Sequence, residues 1–132
     1  AIAGVLAMKP KFLVLDEPTA GLDPLGRDMI LNQIKQLFER EDMTVILVSH
    51  SMEDIAKLCN RVIAIDKSQI FMDDKPEVVF SKEKELQEIG LSIPQSTQVV
   101  RRLKEKGIDL KTDCLNVEQA YKSIKNAMEA KS

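Results

Sequence analysis

Several large classes are excluded by what this chain does not contain. Only two cysteines, Cys59 and Cys114, occur among its 132 residues, too few for a disulfide framework or a four-ligand zinc site. That scarcity fits a reduced, cytoplasmic setting. Neither charge sign dominates: 19 Lys and Arg stand against 21 Asp and Glu. The balance gives nucleic acid no electrostatic footing as a partner. No apolar run approaches the roughly 20 residues that a bilayer span needs. Nor do a basic n-region, an apolar h-region and a cleavage site follow one another at the start. Histidine occurs once, at His50.

What is present can fold. A chain with 44% hydrophobic and 30% charged residues can bury a core, and its length suits one domain of roughly 100–200 residues. It opens Ala1-Ile2-Ala3-Gly4-Val5-Leu6-Ala7-Met8, apolar from the first residue and without an initiator methionine. A native terminus is usually polar and frayed. This segment reads instead as the end of a packed helix stopped by Lys9-Pro10, and it predicts a piece of a longer protein.

Strands and helices then alternate. Phe12-Leu13-Val14-Leu15 is an unbroken apolar run, which predicts a strand buried on both faces of a parallel sheet. Asp23 and Pro24 suit the N-cap and first position of a helix, whose apolar stripe is Leu25, Met29, Ile30, Ile34, Leu37 and Phe38. Thr44–Val48 is a second buried strand. Ser51 with Asp54 resembles a capping box for a helix through Leu58. Arg61–Asp66 and Gln69–Met72 form a hairpin turning at Lys67-Ser68. This order predicts an α/β architecture with a mostly parallel sheet.

From about Pro76 no strand is predicted. Short helical pieces cover 76–90, Pro94 opens a helix through Lys106 with Gly107 at its C-cap, and Asn116 with Gln119 caps a last helix. That helix carries the stripe Val117, Ala120, Tyr121, Ile124, Ala127 and Met128. Arg101, Arg102, Lys104 and Lys106 read as a solvated basic face, and the six methionines as core filler.

The chemistry lies at the strand ends. After Phe12–Leu15 come Asp16 and Glu17, two carboxylates at the carboxyl end of a strand, where open α/β sheets bind ligands. Asp16 is placed to hold Mg²⁺ through water beside nucleotide phosphates, and Glu17 to act as a general base. Pro18-Thr19-Ala20-Gly21-Leu22-Asp23-Pro24 follows, and the next strand ends Val48-Ser49-His50. In this order the segments resemble the ATP-binding-cassette (ABC) ATPase family: Walker B with its catalytic glutamate, the D-loop and the switch histidine.

The resemblance implies ATP as substrate, with Asp16 and Asp23 on the nucleotide side and Glu17 and His50 catalytic. Asp16 is the Mg²⁺ residue. His50 contacts the γ-phosphate, and an imidazole at that strand end can reach both phosphate and Glu17. Asp23, in the D-loop, meets a second ATPase subunit. No phosphate loop, Q-loop or Leu-Ser-Gly-Gly-Gln signature is found. The glycine pair Gly21 and Gly26 has phosphate-loop spacing, but Asp23, Pro24 and Asp28 are the wrong chemistry for it.

The implied fold is thus the carboxyl-terminal part of a P-loop NTPase over residues 1–75, with a helical extension over 76–132. Thr19–Pro24, Asp73–Phe80, Gly90-Leu91 and Pro94 resemble the energy-coupling-factor group of importer ATPases, which serve cobalt, nickel or vitamin uptake. That implies a homo- or heterodimer of ATPase subunits, a transmembrane coupling subunit, and a peripheral place on the cytoplasmic face of a bacterial or archaeal membrane. The chain by itself is expected to be inactive. Two other readings stay open: an ABC ATPase of another importer or non-transport class, and a carboxyl-terminal dimerisation module. The Val117–Met128 stripe with Val99, Val100 and Leu103 either packs on its own domain or pairs two subunits.

Overall fold

The computed structural model describes residues 10–40 and 43–130. The helix end expected at residues 1–8 lies outside them. Two compact units divide between His50 and Ser51.

The first unit holds strand β1 (Phe12–Asp16), helix α1 (Pro24–Arg40) and strand β2 (Thr44–Val48). The strands pair in parallel, with Phe12 opposite Thr44 and Asp16 opposite Val48. A helical crossover between parallel strands is what the sequence order predicts. Burial on both faces is not found. Leu13 is buried and Leu15, Val45 and Leu47 are half-buried, but Phe12, Val14, Ile46 and Val48 are exposed. Strand side chains alternate between faces, and an unbroken apolar run does not say which face is covered. Helix α1 also differs from its expected stripe. Leu31 and Ile34 are buried and Ile30 and Leu37 half-buried, whereas Leu25, Met29 and Phe38 are exposed. At 3.6 residues per turn, Leu25 and Met29 lie opposite the covered arc, and Leu31 takes their place.

The second unit runs through α2 (Met52–Leu58), β3 (Val62–Asp66), β4 (Gln69–Asp74), α3 (Pro76–Ser81), α4 (Glu83–Glu88), α5 (Gln95–Glu105) and α6 (Val117–Glu129). Strands β3 and β4 are antiparallel. Their turn places Lys67 and Ser68 at φ 46° and 62°, left-handed values that match the twist of paired strands. Among the described residues the sheet content is therefore one parallel pair and one antiparallel pair.

One core gathers Met52, Val62, Ala64, Met72, Val79, Phe80, Leu86, Ile93 and Leu115. It runs across residue 75, because the inner face of the hairpin is covered by helices that begin directly after it. The parts 1–75 and 76–132 thus share packing, and their separation is one of proposed roles. A second core joins Val100 to Leu110, Cys114 and Ala120, with Leu103, Ile124 and Ala127 against it. The α6 stripe is split: that half packs within the chain, while Val117, Tyr121 and Met128 are exposed, as is Val99 on α5.

The expected caps form. Ser51 Oγ accepts the Asp54 N–H at 3.3 Å, and Asn116 Oδ1 accepts the Gln119 N–H at 2.9 Å. Arg101 departs from the expected solvated face. Its guanidinium donates to Glu83 Oε2 at 3.0 Å and to the Phe80 carbonyl at 2.8 Å, tying α5 to α3 and α4. The methionines divide as well: Met52 and Met72 are core, but Met29 and Met128 are exposed. Burial pushes the Cys59 and Cys114 thiols up from their usual value, which favours the protonated form.

Candidate active site

Parallel pairing brings the carboxyl ends of β1 and β2 to one edge. Glu17 follows β1 directly and adopts φ 46°, a left-handed conformation uncommon outside glycine. The turn is held from both sides. The Glu17 N–H donates to the Val48 carbonyl at 2.8 Å, extending the ladder one step, and its own carbonyl accepts the Ala20 N–H at 3.1 Å.

Held this way, the Glu17 carboxylate reaches the segment after β2. Its Oε1 accepts the main-chain N–H of His50 at 3.0 Å and lies 2.8 Å from His50 Nδ1. An ionised carboxylate only accepts, so Nδ1 then carries the proton and Nε2 is left for a further partner. The imidazole is 83% exposed and the Glu17 side chain 33%, so a solute has access to the pair. The ring contact is what the sequence predicts from adjacent strand ends. The main-chain donor leaves no trace in sequence, since every residue but proline supplies one.

Asp16 ends β1, exposed, one residue before Glu17 and opposite Val48 in the ladder. Asp23 stands apart, bonded into its own helix start: Oδ1 accepts the Gly26 N–H at 2.9 Å, and its carbonyl accepts that of Arg27 at 2.9 Å. This is the N-cap expected of it. No cluster of three or more His, Cys, Asp or Glu side chains able to hold a metal ion occurs among the described residues. Asp16 nonetheless fits Mg²⁺ shared with a nucleotide. That ion takes oxygen donors, one or two carboxylates suffice, and phosphate oxygens and water complete its shell.

No family model matches the chain. Over 124 residues it is 52% identical to the energy-coupling factor transporter ATP-binding protein EcfA2 of Clostridium tetani, covering 94% of this chain and 43% of that protein. The chain is a homologue of the energy-coupling factor ATP-binding proteins. The EcfA2 of Clostridium acetobutylicum is 48% identical over 130 residues, covering 98% of this chain and 46% of that one. The chain thus spans less than half the length of these relatives.

Among solved structures, cbiO1 of Clostridium perfringens, part of the ABC transporter complex cbiONQ, superposes with a TM-score of 0.58 at 33% identity, over 80% of this chain and 38% of that one. The α/β arrangement is accordingly part of an ABC-type ATPase fold. Among the described residues no helix is long and apolar enough to cross a membrane.

Proposed function

We propose that the protein to which this chain belongs is the ATP-hydrolysing subunit of an ABC importer of the energy-coupling-factor type. The observation that carries this reading is the contact of Glu17 Oε1 with both donors of His50. On this reading Glu17 is the general base and His50 the phosphate-contacting imidazole, side by side at a sheet edge that ends in Asp16. Water attacks the γ-phosphorus in line with the departing ADP oxygen. Glu17 takes the proton of that water as the new P–O bond forms, and His50 contacts the γ-phosphate through Nε2. Asp16 would hold Mg²⁺ through water; that ion, when bound, neutralises charge on the phosphate oxygens.

Asp23 lies on the D-loop side, toward a second ATPase subunit. Residues 1–75 carry the chemistry and 76–132 the association, with the exposed Val117, Tyr121 and Met128 available to a second subunit. A transmembrane coupling subunit completes the assembly, and the ATPase sits peripherally on the cytoplasmic face. The 132-residue chain alone does not turn over ATP, because it contains no phosphate loop and positioning of the triphosphate is most of the catalysis.

The test is Glu17→Gln in the intact protein. Loss of the base lowers kcat by about 10²–10⁴-fold, while ATP still binds. A Glu17→Gln protein that hydrolyses ATP like the wild type would contradict the assignment.

A further inference from the structure

The Asp23 cap has a feature that a helix start does not require. A Cβ placed on Gly26 would lie 2.7 Å from Asp23 Oδ1, closer than such atoms approach, while the Gly26 N–H donates to that same oxygen at 2.9 Å. Capping carboxylates ordinarily coexist with full side chains at the third helical position. Here the carboxylate occupies the space a methyl group would need. Backbone conformation does not account for the glycine, because Gly26 is not among the positive-φ residues, and glycine is a poor helix former.

We propose that Gly26 is a positioning residue for Asp23: its missing side chain lets the carboxylate fold back over the first turn of α1 and fixes where the Asp23 charge sits. This rests on the reading that Asp23 acts at the contact with a second ATPase subunit. Alanine at 26 forces the far end of a short, rotatable side chain to move, not the backbone. The helix survives, and alanine favours it. Fold stability and the place of the Asp23 charge therefore come apart in this variant.

The experiment compares the intact protein with its Gly26→Ala, Asp23→Ala and doubly substituted forms. In Gly26→Ala the melting temperature holds, KM for ATP moves less than about twofold, and kcat falls about fivefold or more. The double variant is no slower than Asp23→Ala alone, since both changes act through one carboxylate. Independently of activity, the residue-26 amide exchanges with solvent about fivefold or more faster in both single variants than in the wild type, as a lost cap predicts. Wild-type kcat in Gly26→Ala, a further fall in the double variant, or an amide equally protected in all forms would overturn the proposal. An intact wild type without ATPase activity would instead overturn the functional reading, and amide exchange would still decide the role of Gly26.

Discussion

The parallel pair of the first unit and the hairpin of the second each have one open face, yet their covered faces differ. Among the described residues of unit one, Leu13 is buried in β1 and Leu31 and Ile34 in α1, with Leu15, Val45 and Leu47 half-covered. Behind β3 and β4, Val62, Ala64 and Met72 lie under Val79, Phe80 and Leu86 in one continuous core. The open faces are alike: Phe12, Val14, Ile46 and Val48 on one, Ile63, Ile65 and Ile70 on the other. A two-stranded sheet is marginal without a hydrophobic cover. Unit two carries its cover in helices that follow the hairpin directly. Unit one carries the proposed site, with Glu17 and His50 at its edge, and fewer buried residues among those described.

The sharpest way to break this comparison is to empty the core under the hairpin. Phe80, 1% exposed, is expected to cost about 3–5 kcal/mol as Phe80→Ala, read by urea unfolding of the 132-residue chain. A loss below about 1 kcal/mol would mean that the hairpin is not held by that core. The counterpart in unit one is Val14→Thr, which keeps shape on the open face and is expected to change stability by less than about 0.5 kcal/mol. A cost well above that would show the face to be covered in solution.

The smallest effect belongs to an exposed ion pair on the hairpin. Arg61 donates to both Asp73 oxygens at 2.7 Å, and this hydrogen bonding holds the Asp73 carboxyl below its usual range. A depressed carboxyl stabilises the fold above its unfolded value, about pH 4, and the contribution is lost as pH falls through the lower folded value. Wild type should therefore be slightly more stable than Arg61→Met near neutral pH, and the difference should vanish in acid. An advantage that persists in acid would assign it to packing of the arginine stem.

Much of this was legible in the sequence, for physical reasons. Caps are local, so Ser51, Asn116 and Asp23 announced their helices, and Lys67-Ser68 announced the hairpin. The contact of Glu17 with His50 was readable because strand ends at one sheet edge bring distant residues together. What was not legible depended on three dimensions. Four successive apolar residues in β1 do not tell which face is open, and the arc of α1 that is covered turned out to centre on Leu31 and Ile34. Arg101 looked like one more surface cation, because its partners Glu83 and the Phe80 carbonyl lie on other helices. The left-handed Glu17 is set by the ladder and the loop after it, not by residue type.

The most direct test of the central contrast is amide exchange on the 132-residue chain, read strand by strand. The few buried residues described in the first unit and the continuous core of the second predict that β1 and β2 amides exchange on the order of a hundredfold faster than those of β3 and β4. Equal protection of the two strand pairs would contradict it, and would mean that the first unit is as well packed as the second.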